Sequence, residues 1–437
     1  MKTKNYRKDK VQLITLGCSK NLVDSENLLT QLSHNDYNVE HNPEGEDISE
    51  IVIINTCGFI DRAKEESIHT ILNYASLKKS GKLSKLYVTG CLSQRYKDQL
   101  EEDIPEVDAY FGTMEMPQLL ARLNADYKQE LVGERIISTP SHFAYLKISE
   151  GCNRTCSFCA IPLMRGKHIS VPMDQLVSQA KSLARNGVKE LILIAQELTY
   201  YGLDIYKKRS LSELLDRLCE VEGIEWIRLH YAYPSKFPID IIETMSRQVK
   251  ICNYFDIPLQ HASDKMLSSM RRQITKKESL ELFSEIRRIV PEISLRTTML
   301  VGFPGETEED FNEMCEFVKQ VKFERLGVFQ YSHEEDTFAF LMEDNIPTAV
   351  KEDRAQRLME IQQGISLEIN EQKIGSVQKV LIDRKEGNYF IGRTESDSPE
   401  VDNEVLIESE SYLRIGDFVL VNIVDCSEFD LIGEVIL

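Results

Sequence analysis

The sequence predicts an α/β protein that consists of a doubly wound parallel sheet, an incomplete (βα)6 barrel and a small antiparallel β-barrel, in that order. Up to about residue 332, short apolar runs rich in β-branched residues alternate with helical patterns, which is typical of parallel sheets covered by helices. The last 63 residues show short alternating strands separated by Gly, Asn, Asp and Pro, which is typical of a small barrel. We therefore expect domains at residues 1–138, 139–374 and 375–437.

Three apolar runs predict the parallel strands of the N-terminal domain, at residues 11–17, 51–57 and 86–91. A cysteine stands at the carboxyl end of each run: Cys18, Cys57 and Cys91. Open parallel sheets bind ligands at the carboxyl ends of their strands, so these thiols can converge although they are distant in sequence. Three buried structural thiols are the alternative interpretation.

Six further runs predict the strands of the central barrel, and helical patterns separate them. They lie at residues 142–149, 190–196, 226–233, 254–260, 294–303 and 325–332. In such a barrel the chemistry lies on the loops that follow the strands. A charged amphipathic helix from residue 351 to about residue 374 connects this domain to the tail.

Composition limits the class of protein. The chain has 437 residues, 42% of them hydrophobic, and a net charge of −19, which is typical of a globular protein and excludes intrinsic disorder and collagen-like repetition. Its basic N-terminus precedes an apolar stretch too short for a signal peptide, and no apolar run approaches the ~20 residues of a membrane span. We expect a cytoplasmic protein without membrane association, and the number of cysteines, ten, makes metal or redox chemistry the first hypothesis.

The tail carries about half of the net charge. Residues 375–437 contain 14 acidic and 5 basic side chains, a net of −9. Phosphates would be repelled by this charge, so we expect no tight RNA binding by the tail. A basic protein is the better partner for such a surface.

The motif Cys152-x3-Cys156-x2-Cys159 directly follows the first strand of the central domain. Soft thiolate ligands favour iron–sulfur clusters or zinc. A structural zinc site usually takes four protein ligands, and the nearest histidines are His142 and His168. Three thiolates therefore predict a 4Fe-4S cluster with one open iron. No side chain in the sequence stands out as a general acid or base.

This spacing, with the aromatic Phe158 before the last cysteine, resembles the radical S-adenosylmethionine (SAM) superfamily. The resemblance implies SAM as cofactor, with Gln196 and Glu197 near its amino group. It places Phe158 near the adenine, for which an ordinary apolar contact is the alternative. It also implies that Gly302 lies in a second glycine-containing loop, for which a plain turn is the alternative. Arg296 can pair with the carboxylate of SAM, or it can form a buried structural ion pair.

Two sets of three cysteines followed by a small barrel resemble the methylthiotransferase family across essentially the whole chain. The segments that carry this resemblance are LGCSKNLVDSE (16–26), ISEGCNRTCSFCAIPLMRG (148–166), YAYPSKF (231–237), LQHASDKMLSSMRR (259–272), RTTMLVGFPGETEEDF (296–311), VFQYSHEED (328–336) and GRTESDSPEVDNEV (392–405). They are similar to the branch that acts on protein twelve of the small ribosomal subunit. Two departures, Glu197-Leu198 and Asp336, stand where Asp-Thr and Gly are expected.

The resemblance implies a function. It is transfer of a methylthio group to the β-carbon of an aspartate in that basic ribosomal protein, with SAM as methyl donor and as source of the 5′-deoxyadenosyl radical. We also expect a second 4Fe-4S cluster on Cys18, Cys57 and Cys91 and a TRAM-like tail that recognises the substrate. The protein is expected to be a monomer that receives electrons from a donor such as a flavodoxin or ferredoxin. Methylthiolation of an adenosine in transfer RNA and a non-catalytic iron–sulfur or zinc protein are the alternatives.

Other chemistry-bearing residues have more ordinary interpretations. Cys219, Cys252, Cys315 and Cys426 occur singly in helix or strand patterns and are expected to be small buried hydrophobes. His230, His261 and His333 lie at or just after strand ends, where substrate contact or simple packing is expected. Asp24 and Glu26 either orient the loop of Cys18 or are solvated surface carboxylates.

Overall fold

The computed structural model describes residues 10–43, 48–131 and 133–436, so most of the basic N-terminal stretch lies outside the described residues. The chain forms two compact units. The first comprises the described residues up to 139 together with residues 145–153 and 159–183, and the second comprises residues 140–144, 154–158 and 184–437. In the described part of the chain, no helix is long and apolar enough to cross a membrane.

A five-stranded parallel sheet with helices on both faces forms most of the first unit. Its elements are β1 (Lys10–Thr15), α1 (Ser19–Ser33), β2 (Asn38–His41), β3 (Ile51–Thr56), α2 (Asp61–Lys79), β4 (Lys85–Gly90), α3 (Cys91–Asp103), β5 (Ala109–Tyr110) and α4 (Met116–Arg122). The strand order is β2-β1-β3-β4-β5. Ile53 packs with the core on the α1 face, whereas the adjacent Ile54 packs with the core on the α2 face. The predicted doubly wound sheet is confirmed.

The chain then continues through five short elements. They are β6 (Phe143–Lys147), β7 (Ser149–Glu150), α5 (Ile161–Arg165), β8 (Ile169–Ser170) and α6 (Met173–Arg185). The strand predicted at residues 142–149 is divided into β6 and β7, and β7 pairs with β8 in an antiparallel ribbon that the sequence pattern did not predict. Helix α5 packs on α3, where Met164 joins Cys91 in a small apolar cluster.

The central domain contributes a six-stranded sheet, as predicted. Its further elements are β9 (Glu190–Ile194), α7 (Leu211–Cys219), β10 (Trp226–Leu229), α8 (Asp240–Arg247), β11 (Ile251–Asp256), α9 (Asp264–Ser269), α10 (Lys276–Ile289), β12 (Ser294–Val301), α11 (Glu308–Val321), β13 (Arg325–Gln330) and α12 (Thr348–Glu371). The strand order is β13-β12-β11-β10-β9-β6, and β9 to β13 run parallel. Capping boxes at Thr275 and Thr307 begin α10 and α11.

The tail is a closed five-stranded barrel around a core that includes Phe390. Its strands are β14 (Val377–Glu386), β15 (Tyr389–Arg393), β16 (Val405–Glu408), β17 (Phe418–Cys426) and β18 (Leu431–Val435), in the order β14-β15-β16-β18-β17. The small barrel is confirmed, but the expectation that all of its strands are antiparallel is wrong, because β16 and β18 pair in parallel. The other pairs are antiparallel.

Buried ion pairs join the tail to the central sheet within the second unit. Arg393 of β15 bonds to Glu190 of β9 at 2.8 Å and to Asp383 of β14 at 2.7 Å. In the loop between β15 and β16, Asp397 accepts from Arg325 and Asp402 lies 3.1 Å from Arg296. Part of the acidic charge of the tail is therefore neutralised inside the molecule.

Replacement of Arg393 by leucine should destabilise the second unit. The variant leaves Glu190 with one cation instead of two, and breaking a buried ion pair by removing one partner costs about 3–5 kcal/mol. The urea unfolding midpoint should fall in Arg393→Leu and stay unchanged in the control Arg288→Leu, because the Arg288–Glu285 pair is exposed. Equal midpoints for the two variants would contradict the role given to this ion pair.

Candidate functional site

Three predicted strand-end cysteines come together in the first unit. Cys18 precedes α1, Cys57 follows β3 and Cys91 begins α3, so all three lie at the carboxyl ends of neighbouring strands. Burial raises the pKa of the Cys91 thiol to about 12, Arg165 opposes this shift, and charge on Cys18 and Cys57 adds to it. The three thiols therefore lie at the same edge of the parallel sheet.

Glycines make this close approach possible. Gly17 has a φ of +91°, and a Cβ atom there would lie 2.9 Å from the Sγ atom of Cys57. Gly90 has a φ of +102°, and a Cβ atom there would lie 2.5 Å from the carbonyl oxygen of Thr56. Side chains at either position would be strained and would push the strand ends apart.

Arg165 of α5 connects this cysteine set to carboxylates. Its Nε atom donates to the Sγ atom of Cys91 at 3.3 Å, and its Nη1 atom donates to Asp24 at 2.6 Å. Its Nη2 atom donates to Asn21, whose Oδ1 atom also accepts from the Cys91 thiol. Neither Arg165 nor Asn21 was predicted as a neighbour of Cys91, because no sequence pattern links either residue to it.

The acidic residues near Cys18 are not solvated surface groups. Asp24 pairs with Arg165 and Lys147, and the buried Glu26 pairs with Arg135 at 2.9 Å. Of the two interpretations considered, the solvated one is therefore wrong for both. Asp24 orients the helix that follows Cys18 through its ion pairs.

The central cysteine motif extends over both units. In the first, the backbone N–H of Cys152 donates to the carbonyl of Gly166 at 3.1 Å, and Cys159 is partly exposed. In the second, Nη1 of Arg272 donates to the Sγ atom of Cys156 at 3.3 Å. The guanidinium of Arg272 also lies 4.2 Å from the ring centroid of Tyr233. One sulfur of each cysteine set thus accepts a hydrogen bond from a buried arginine.

The donor chemistry of both cysteine sets is compatible with iron–sulfur clusters. Among the residues that the structure describes, no three His, Cys, Asp or Glu side chains are arranged to hold one metal ion. A 4Fe-4S cluster does not require such convergence, because each thiolate binds a different iron atom. Three thiols in each set, with guanidinium donors on the sulfurs of Cys91 and Cys156, are compatible with such clusters.

The residues predicted to contact SAM have defined surroundings in the second unit. Phe158 packs against an apolar cluster that includes Met266 and Phe303. Glu197 accepts two hydrogen bonds from Arg154, at 3.0 and 2.8 Å, and caps the 3₁₀ helix Leu198–Tyr200 that follows it. Gln196, the preceding residue, is partly buried.

Two further predicted SAM contacts are engaged by other parts of the chain. Gly302 has a φ of +75°, and a Cβ atom there would lie 2.3 Å from the Cγ atom of Lys351. Arg296 pairs with Asp256 at 3.2 Å and with Asp402 at 3.1 Å, which is the structural ion pair that was the alternative interpretation. A contact between SAM and any of these residues stays a prediction.

The three strand-end histidines are held by neighbouring groups. His230 bonds to Ser398 at 2.9 Å, the fully buried His261 accepts from the backbone of its own turn, and His333 lies 3.1 Å from the hydroxyl of Tyr331.

The four single cysteines differ in burial, and Asp336 has an unusual backbone conformation. Cys252 and Cys315 are buried as expected, whereas Cys219 and Cys426 are only partly buried. Asp336 has a φ of +60°, which explains why glycine is the residue expected at this position.

Comparison with known protein families divides the chain into three matched segments. Residues 146–318 match the radical SAM superfamily, residues 10–112 match the uncharacterised protein family UPF0004, and residues 374–436 match the TRAM domain.

Full-length relatives decide the family. The ribosomal protein uS12 methylthiotransferase RimO of Cytophaga hutchinsonii is 60% identical over 100% of both chains. The protein of the same name from Christiangramia forsetii is 59% identical over 99% of this chain and 96% of its own. The chain belongs to the RimO family of methylthiotransferases. It is a radical SAM enzyme of that family.

Solved structures share the fold at low sequence identity. The radical SAM methyltransferase TsrM from Kitasatospora setae is 14% identical with a TM-score of 0.53, over 86% of this chain and 79% of its own. The cobalamin-dependent SAM radical enzyme OxsB is 13% identical with a TM-score of 0.55, over 76% of this chain and 54% of its own. These two likenesses concern the fold alone.

Alkylation of the metal-free protein should follow the burial of the N-terminal thiols. At pH 8 the exposed Cys18 should react with iodoacetamide on the order of a hundredfold faster than Cys91, whose pKa is raised to about 12 by burial. Cys252, with a pKa likewise raised to about 12, is the matched slow control, and all thiols should react alike in urea. Peptide mass spectrometry measures the rates, and equal rates for Cys18 and Cys91 in the folded protein would refute the burial assigned to Cys91.

Proposed function

We propose that the protein adds a methylthio group to the β-carbon of an aspartate in ribosomal protein uS12. In this proposal SAM serves both as methyl donor and as radical source. The observation that supports it most is the presence of two separate sets of three thiols in a chain that matches uS12 methylthiotransferases over its full length. One set alone would give radical chemistry without a second centre from which sulfur is presented.

Two 4Fe-4S clusters and SAM are the cofactors in this proposal. Cys18, Cys57 and Cys91 would hold one cluster, and Cys152, Cys156 and Cys159 the other. The residues that would surround SAM are Phe158, Gln196, Glu197, Arg296 and Gly302. When bound, the cofactors supply a 5′-deoxyadenosyl radical that takes hydrogen from an unactivated carbon.

In this proposal the chain itself offsets the negative charge of the cysteine thiolates and positions the side chains around them. Arg165 and Arg272 each donate to one cysteine sulfur, which offsets the negative charge that the thiolates carry when they bind iron. An apolar cluster packs against Phe158, which lies between Cys156 and Cys159, and so positions this side chain.

The three predicted domains divide these tasks. Residues 1–138 carry the auxiliary cluster, residues 139–374 carry the radical centre, and residues 375–437 recognise the substrate. Several carboxylates of the tail remain exposed and favour a basic protein over RNA: Glu386, Glu400, Glu408, Glu410, Asp425, Glu428 and Glu434. The proposal includes a cytoplasmic monomer that is reduced by a flavodoxin or ferredoxin and that does not associate with membranes.

Iron analysis tests the two-cluster proposal. Anaerobically reconstituted protein should contain about eight irons per chain, and replacement of either cysteine set by alanine should leave about four. The matched control replaces Cys252 and Cys315, which should leave the iron content unchanged because neither residue belongs to a set. Loss of all iron on replacement of Cys152, Cys156 and Cys159 would contradict the existence of a second cluster.

Mass spectrometry tests the choice of substrate. In cells that lack the gene, uS12 should lose the mass of one methylthio group, whereas transfer RNA should keep its methylthiolated adenosine. The acidic tail supports this direction, because phosphates are repelled by exposed carboxylates. Loss of the modification from transfer RNA, with uS12 unchanged, would establish the alternative function.

A further inference from the structure

Three arginines of the second unit lie near the loop that carries Cys156, which we call the radical-centre loop. Two of them form several contacts with other groups of the protein. Arg154 pairs with Glu197 and lies against the rings of Tyr200 and Tyr233. Arg272 donates to the Sγ atom of Cys156 and to two backbone carbonyls. Arg271 is different, because its guanidinium is exposed and, in the described part of the chain, forms no ion pair.

Arg271 lies directly beside the cysteine loop. The N–H of Ser157 donates to the carbonyl of Met270 at 3.1 Å, and the hydroxyl of Ser157 donates to the carbonyl of Ser269 at 2.8 Å. The carbonyl of Ser157 in turn accepts from Ala339 at 2.7 Å. The turn that carries Arg271 and the segment that carries Phe338 are thus both bonded to one residue between Cys156 and Cys159.

Phe338 holds the guanidinium in place. Its ring is 54% exposed, and the Cζ atom of Arg271 lies 3.7 Å from the ring centroid. A guanidinium stacked on an aromatic ring loses little further freedom when it binds a carboxylate, and its N–H donors stay available at its edge. The stacked pair therefore presents a preorganised cation at the side of the radical-centre loop.

The backbone at Arg271 is unfavourable for any side chain. Helix α9 ends in a Schellman motif, in which the N–H of Arg272 donates to Leu267 and the N–H of Arg271 donates to Ser268. Arg271 occupies the position that usually holds glycine, with a φ of +56°. Stability alone would therefore favour glycine at this position.

We propose that Arg271 binds the side-chain carboxylate of the substrate aspartate. This inference rests on the proposed function, in which the reacting carbon is the β-carbon of an aspartate. The carboxylate is bonded directly to that carbon, so a bidentate contact with a guanidinium fixes the reacting carbon beside the cysteine loop. The site also explains selection of aspartate, because asparagine offers one oxygen and no negative charge.

A cycle of substitutions in enzyme and substrate tests the site. The probes are two fluorescent uS12 peptides, one with the unmodified substrate aspartate and one with asparagine in its place. Each peptide is titrated anaerobically into reconstituted enzyme with SAM. The wild type should bind the aspartate peptide at least about tenfold more tightly, as expected for a charge-assisted hydrogen bond. In Arg271→Gly and Arg271→Gln this ratio should fall to about one, and Arg271→Lys should restore part of it.

Two controls separate recognition from folding. Arg288→Gln, which removes an exposed arginine on α10, should keep the ratio of the wild type. Arg271→Gly should unfold at the same temperature as the wild type or higher, because glycine suits the left-handed backbone. An unchanged ratio in Arg271→Gly would overturn the carboxylate site, whereas failure of the wild type to bind either peptide would overturn the proposed protein substrate and this inference with it.

Discussion

Buried guanidinium groups hold the second unit together. Arg393 and Arg228 share the carboxylate of Glu190 at the start of β9, and Arg325 binds Asp397 of the tail. Each ion in such a network has lost its water, so its cost is offset only while every partner stays in place. The tail loop between β15 and β16 and the central sheet therefore depend on each other for stability, although they are separate in sequence.

A guanidinium group also donates a hydrogen bond to a cysteine sulfur in each unit. Arg165 donates to Cys91 in the first unit, and Arg272 donates to Cys156 in the second. A thiol must lose its proton to bind iron, and burial opposes this by raising the pKa of Cys91 to about 12. A cation in hydrogen-bond contact with the sulfur lowers the cost of the thiolate. Each cysteine set therefore has a neighbouring guanidinium that favours the thiolate form, in addition to the three cysteines that the sequence displays.

Local sequence patterns predicted the elements and the cysteines, but not the contacts between distant segments. Runs of β-branched residues marked β1, β3 and β4 because a strand buried on both faces needs apolar side chains throughout. The edge strands β2 and β5 are short and only partly buried, so they carry no such pattern. Arg165 and Ser398 escaped prediction because their partners lie 74 and 168 residues away, where no periodicity connects them.

Formal charge and effective charge differ in the tail. Asp383, Asp397 and Asp402 count toward its net of −9, yet each is paired with an arginine inside the second unit. Glu408 and Glu434 behave differently, since they are exposed and lie in register on the paired strands β16 and β18. Like charges on neighbouring strands repel each other. A lysine or arginine of a partner placed between them would relieve that repulsion, so the proposed binding of a basic protein depends on the exposed carboxylates and not on the total count.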